Sequence, residues 1–359
     1  MVFTTEHTHY HLRVAGCQVV HDPKLYPLTF VPELRDYVWG GRRLETLFGR
    51  TLPSGVVAES WEISGHPAAP TRAEAGFWAG EPLPAILEVL GEQLVGARAA
   101  WALERNRFPL LVKLLDARQD LSLQVHPGDE YAIAHEDGEL GKTEMWYFLD
   151  VDPGTRLILG LRPDATRSSF SDALQSGRLS ELLNYVPIRA GQAVAVPTGT
   201  VHALLAGTVA TEIQQNSDLT YRVHDWGRVG ADGKPRPTHI QKALDVINFG
   251  SPFQGVATPR LLEDLNGLRR IELARNRYFV TEKIEMASGA THRGVCSGAS
   301  LEIWGCISGQ VVLTWDGAPV RLPAIRYALL PAALGRFNVT APEPSACLRV
   351  YLPPERPDP

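Results

Sequence analysis

A chain of 359 residues is long for one small domain and about right for two. Its 44% hydrophobic and 21% charged residues suit a soluble fold with a sizeable core, and no apolar run reaches the roughly 20 residues a bilayer-spanning helix needs. The formal net charge of −5 offers no general attraction to nucleic acid or acidic membranes, so an anionic ligand needs a local basic cluster. Residues 1–26 read as an appended arm. His7, His9 and His11 alternate there and would share one face of a strand, but a mobile terminus accounts for them better than a metal site. Val14-Ala-Gly-Cys17 has the shape of a lipoprotein cleavage site, yet residues 4–11 are polar and supply no signal core.

From Pro27 the pattern becomes strand-like at 27–31, and residues 38–44 lead into a short helix. Residues 59–65 alternate at period two and read as a strand; residues 84–105 carry a helical pattern. Strands follow at 110–115, 121–125, 144–149, 156–160, 193–196 and 209–214. A second helix at 170–183 opens on Ser168 and Ser169 as caps, and a third spans 239–247. Beyond Gly250 the chain is nearly all strand, at 270–273, 278–284, 300–308, 310–315, 328–330 and 347–351. Many short strands with Gly and Pro turns, in two successive runs, predict a mainly β protein. The expected fold is a bicupin: two antiparallel jelly-roll barrels, with short helical insertions in the N-terminal half. The expected division is an arm at 1–26, a metal-binding domain at 27–250 and a metal-free C-terminal barrel at 251–359. Residues 326–335 of that barrel keep a strand, a Pro and a Gly without a nearby His. Cys17, Cys296, Cys306 and Cys347 form no CxxC pair and are expected as reduced thiols in a cytoplasmic protein.

The stretch Ser122-Leu-Gln124-Val-His126-Pro127 places three polar side chains on one strand face. Glu144 opens the next strand, and Pro197-Thr-Gly-Thr-Val-His202 delivers a second imidazole from a turn. Gln124, His126, Glu144 and His202 together make an N/O ligand set of the kind Zn²⁺ accepts, with room for water or substrate. Spacing alone is weak support, because the four donors are scattered and a His or Gln on a strand is more often a surface or core residue.

The pattern Pro-x-Gly-x-x-His resembles the second cupin motif, and Gln-x-His with a later Glu resembles the first. Leu121-Ser-Leu-Gln-Val-His-Pro127, Gly141-Lys-Thr-Glu-Met-Trp146, Pro197-Thr-Gly-Thr-Val-His202 and Glu212-Ile-Gln-Gln-Asn-Ser-Asp-Leu-Thr-Tyr-Arg222 stand in the order seen in type I mannose-6-phosphate isomerases, in their compact bacterial form. Trp39-Gly-Gly41 and Glu59-Ser-Trp-Glu-Ile-Ser64 also resemble that family, and the likeness runs from about Pro27 to Gly250. By this resemblance Gln124, His126, Glu144 and His202 hold one zinc per chain. Lys142, Glu212, Asp218 and Arg222 are then catalytic, and Lys113 and Ser122 bind the sugar phosphate. The arm and His224, where an aromatic is expected, depart from the family pattern.

The implied reaction interconverts mannose 6-phosphate and fructose 6-phosphate through a cis-enediol. Arg222 would share the developing oxyanion charge, Asp218 would assist ring opening, and either Lys142 or Glu212 would move the C2 proton. Each residue has a plainer reading: Lys142 and Glu212 as surface charges, Asp218 as a turn residue, Arg222 as a partner for Asp225. Trp61, Trp146 and Trp226 read as core rather than sugar platforms. Metal barrels host several chemistries, so a differently specific enzyme or a non-catalytic sugar-binding bicupin is the alternative. No sequence feature speaks to the oligomeric state.

Overall fold

The computed structural model describes residues 25–229, 233–250, 256 and 258–354. His7, His9, His11 and Cys17 lie outside them. The N-terminal half is built on β1 (Phe30–Val31), β2 (Glu33–Arg35), β3 (Glu59–Ser64), β4 (Arg72–Ala73), β5 (Leu110–Ala117), β6 (Leu123–Val125) and β7 (Glu144–Val151). It continues with β8 (Arg156–Leu161), β9 (Leu183–Pro187), β10 (Ala193–Val196), β11 (His202–Ala203), β12 (Thr208–Gln215) and β13 (Tyr221–His224). Strands β5 and β12 are buried on both faces along their full length, which explains why they read as near-continuous apolar runs. They sit in the middle of a six-stranded sheet, β10-β7-β12-β5-β3-β2. A five-stranded sheet, β13-β6-β11-β8-β9, completes this half, with β1 and β4 as a separate pair. All the pairings are antiparallel.

Beyond residue 259 the chain forms a second six-stranded and a four-stranded sheet, so the molecule is mainly β. Trp304, Phe337, Cys306 and Cys347 lie in one buried cluster there. Cys296, Cys306 and Cys347 are free and buried. A larger cluster includes Leu28, Phe108 and Ile213 from the first half and Phe279, Leu329 and Leu352 from the second, so the halves share apolar core.

The helical pattern at 84–105 breaks into Leu83–Leu90, Glu92–Val95, a 3₁₀ turn Ala97–Ala99 and Ala100–Leu103. The breaks fall at Gly91 and Gly96, whose φ of 48° and 86° no helix tolerates. The expected helix at 170–183 is shorter, Arg167–Gln175, and its cap is Thr166 rather than Ser168 or Ser169. The Ser169 amide donates to Thr166 Oγ1 at 3.1 Å, and the Thr166 amide donates to Ser169 Oγ at 2.9 Å, a reciprocal capping box. Residues 183–187 leave the helix to become edge strand β9. Among the described residues no helix is long and apolar enough to cross a membrane.

Candidate metal centre and adjoining cavity

Strand register assembles the site from two facing rows. On the five-stranded sheet, Arg222 of β13 stands opposite Gln124 of β6, and Gln124 stands opposite His202 of β11. On the six-stranded sheet, Trp61 of β3, Lys113 of β5, Glu212 of β12 and Trp146 of β7 are successive cross-strand partners. Directly paired residues on neighbouring strands project to the same face, so each row presents its side chains together. Glu144 enters next to the second row, opposite Gln214.

His126, Glu144 and His202 bring their ligand atoms within 4.8 Å of one another in a fully buried group that could hold a metal ion. His126 Nε2 lies 3.4 Å from Glu144 Oε2, and His202 Nε2 lies 3.3 Å from Glu144 Oε1. Both imidazoles turn Nδ1 outward: His126 to the Leu219 carbonyl at 2.7 Å and His202 to the Thr200 carbonyl at 2.9 Å. Those bonds place the ring proton on Nδ1 and leave Nε2 as a lone pair. Burial, then Lys142, pushes the His126 pKa down to about 3, and burial also lowers that of His202. Two neutral lone pairs therefore face a carboxylate, with no proton between them. His126 Nε2 and both Glu144 oxygens are buried without a hydrogen-bond partner. Glu144 Oε2 has the Lys142 ammonium at 3.1 Å, whereas His126 Nε2 and Glu144 Oε1 are costly to leave bare, and a divalent cation would satisfy them. Gln124 adjoins the group, its side-chain nitrogen 3.2 Å from His202 Nε2 and its Oε1 accepting from Ser122 Oγ at 3.2 Å.

Beside the group lies a cavity of about 240 Å³ lined by Ser122, Gln124, Lys142, Glu212, Asp218 and Arg222, among others. Lys142 Nζ sits 3.1 Å from Glu144 Oε2 and 3.9 Å from Glu212 Oε1. Burial disfavours its charge, but Glu144 and Glu212 outweigh burial and hold its pKa above the ordinary lysine value. Glu212 is the opposite case: burial raises its carboxyl pKa despite Lys142 and Lys113, while Trp146 Nε1 donates to its Oε2 at 2.8 Å. Lys113 is enclosed by Glu59, Asp218 and Glu212 at 3.4, 3.6 and 3.7 Å and lies 4.4 Å from the centroid of the Trp61 ring. Burial opposes the charge of Asp218 too, but Lys113 and Lys142 hold its pKa low.

The first part of the chain, residues 28–145, matches the family described as phosphomannose isomerase type I, catalytic domain. Over 322 residues it is 40% identical to mannose-6-phosphate isomerase ManA of Bacillus subtilis, spanning 87% of this chain and 95% of that protein. The chain belongs to the type I phosphomannose isomerase family. A mannose-6-phosphate isomerase of Streptococcus mutans is 36% identical over 261 residues, 73% of this chain and 79% of the relative. The crystal structure of the Bacillus subtilis mannose 6-phosphate isomerase superposes with a TM-score of 0.81 at 31% identity, covering 90% of this chain and 99% of that one.

Within this family fold, Gln124, Lys142, Glu212, Asp218, Arg222, Lys113 and Ser122 line the cavity, and His126, Glu144 and His202 form the metal-ready group. The plainer readings of Lys142 and Glu212 as surface charges fail, since both are buried. Asp225 pairs with Arg228 and Arg236, each at 2.5 Å, instead of with Arg222. Trp61 and Trp146 are fully buried, and Trp226 packs against the core in part. Sequence reasoning gave no site role to Glu59 and Trp39, named only within family-like segments, or to Tyr37 and Arg236, and all four also line the cavity. The period-two alternation of Glu59 with Trp61 was a usable signal for Glu59. The loop carrying Arg236 has no periodicity to read.

Proposed function

We propose that the chain is a zinc-dependent mannose-6-phosphate isomerase that converts aldose to ketose through a cis-enediol. The observation that carries this reading is the buried His126–Glu144–His202 group, with His126 Nε2 and the Glu144 oxygens lacking a hydrogen-bond partner, opening beside Lys142 and Glu212 in a cavity of sugar size. Gln124, His126, Glu144 and His202 would hold one zinc ion per chain; Gln124 joins by turning its amide oxygen inward. Bound zinc supplies a Lewis acid that polarises a substrate oxygen.

The remaining chemistry belongs to the chain's own side chains. Lys142 and Glu212 stand 3.9 Å apart and are the two candidates to carry the proton between C2 and C1. The elevated carboxyl pKa of Glu212 suits a proton acceptor, and Lys142, held charged, suits a proton donor. Asp218 assists ring opening at a sugar hydroxyl, and Arg222, the cross-strand neighbour of Gln124, balances charge developing on the enediol oxygens. Ser122 and Lys113 bind sugar hydroxyls; the three carboxylates around Lys113 argue against a role on the phosphate.

We also infer that residues 27–250 form the catalytic unit and 251–359 a metal-free barrel. His292, the histidine of that region, is buried with its ring 5.0 Å from Trp304 and 6.4 Å from Phe337. Free buried cysteines support a reducing, cytoplasmic setting.

The test is direct. Zinc-loaded protein incubated with mannose 6-phosphate should yield fructose 6-phosphate. A strong chelator should abolish turnover, and added zinc should restore it. No product from zinc-loaded protein would leave a differently specific enzyme or a non-catalytic sugar-binding bicupin as the surviving reading, and a panel of other sugar phosphates would separate the two.

A further inference from the structure

Two charged groups meet at the cavity. Glu59, Glu144, Glu212 and Asp218 are joined through Lys113 and Lys142, and the carboxylates outnumber the lysines. Arg222 and Arg236 line the same cavity, and Asp225 is the carboxylate that joins Arg236 to Arg228. The first group therefore carries excess negative charge and the arginine group excess positive charge.

We propose that Arg236 binds the phosphate group of the substrate, next to Arg222, and that Asp225 positions it. This rests on the reading of the chain as a hexose-phosphate isomerase. Asp225 accepts from Arg236 Nε at 2.7 Å and from Nη2 at 2.5 Å, a two-point grip that fixes the plane of the guanidinium. Arg228 Nη2 donates to the same carboxylate at 2.5 Å. One carboxylate cannot neutralise two guanidiniums, so net positive charge persists beside the cavity. The grip on Nε and Nη2 leaves the Nη1 edge of Arg236 as the donor edge for an anion.

Arg222 is tied to the same loop. Its Nη1 donates to the Pro237 carbonyl at 2.8 Å, and its backbone N–H donates to His239 Nδ1 at 3.2 Å. Its Nε is buried without a partner. A buried guanidinium N–H without an acceptor calls for a polar ligand. A phosphate, with three acceptor oxygens and nearly two negative charges, suits the Arg236 guanidinium, in a net positive group, far better than a neutral hydroxyl does. Lys113, the other basic candidate, is already surrounded by three carboxylates. With the phosphate at Arg236, the sugar chain points along the Arg222–Gln124–His202 row toward the metal group.

The experiment uses zinc-loaded full-length parent, Arg236→Gln and Arg236→Lys. It measures KM and kcat for mannose 6-phosphate, competitive inhibition by inorganic phosphate, zinc content and melting temperature. Arg236→Gln should raise KM and the phosphate inhibition constant by about ten- to a hundredfold, the scale of one charge-assisted contact. Its kcat should stay within about threefold of the parent, as for lost uniform binding. Arg236→Lys should recover part of the loss, because a point charge replaces a fork. Parent-like KM and phosphate inhibition in Arg236→Gln would overturn the assignment and leave Arg236 a structural partner of Asp225. If the parent gives no turnover, the isomerase reading fails on its own. Calorimetric titration of inorganic phosphate into parent and Arg236→Gln then decides this inference: equal binding overturns it, and binding lost only in the variant supports it.

Discussion

Glu144 faces two imidazole lone pairs and the Lys142 ammonium, and only Lys142 compensates it directly. Removing a donor to the metal and removing a neighbour of the metal should therefore have different consequences. His202→Ala takes away a buried member of the proposed zinc site and should lose both zinc and turnover. Arg222→Ala should keep zinc and lose turnover by about 10²–10³, the scale of one oxyanion-stabilising donor. Lys142→Ala should also keep zinc and lose about 10²–10⁴, the scale of a positioned acid or base. Zinc stoichiometry measured beside isomerase rate checks all three. Normal rates in Lys142→Ala and Arg222→Ala would remove the roles proposed for them even in an active parent.

At the scale of elements, the broken helical segment at 83–103 joins the two halves. Its Ala97 and Arg98 amides each donate, at 3.0 Å, to the Gly298 and Ala299 carbonyls, and the Leu301 amide returns a bond to Val95 at 3.0 Å. Gly96 permits this junction: its φ is 86°, and a Cβ there would lie 2.5 Å from the backbone of Ala299 and Ser300. Backbone cannot swing aside as a flexible side chain can. Gly96→Ala should cost at least about 2 kcal/mol from left-handed strain and overpacking together. Urea denaturation of zinc-free protein reads this as a lower midpoint; an unchanged midpoint would mean that the junction can rearrange. The uninterrupted helix read at 84–105 missed this because apolar spacing survives a break that only the glycine φ values reveal.

The whole molecule carries a pH dependence. His66, His126, His202, His239 and His292 all have lowered pKa values, each chiefly through burial, with His126 near 3 and His292 near 4. Between those values and 6.5 the unfolded chain binds protons that the folded chain refuses. Their contribution to stability is complete above about pH 6.5 and is lost as pH falls toward the folded values. Glu212, with its raised pKa, works in the opposite direction as it protonates. The five histidines should outweigh it, so zinc-free protein should have a lower urea midpoint at about pH 5 than at about pH 7.5. His292→Leu, outside the metal group, should flatten that difference. An equal pH response in this variant would show that His292 takes up no unequal share of protons.

The sequence by itself determined the mainly β class and most buried strands, and its motifs marked His126, Glu144 and His202, the group that could hold a metal. Period-two alternation and apolar runs record burial directly, and the alternation in Gln124-Val-His126 puts two polar side chains on one face whatever surrounds them. It also marked Lys142, Glu212, Asp218 and Arg222, through motifs in family order. Only the tertiary structure decided that Arg222, Gln124 and His202 form one row, that three carboxylates enclose Lys113, and that Asp225 holds Arg228 and Arg236. The reason is physical: strand register and loop return bring together residues far apart in the chain, and the sign of a cavity wall depends on every charge that reaches it. Local pattern reports which way a side chain points; long-range pairing settles what it meets there.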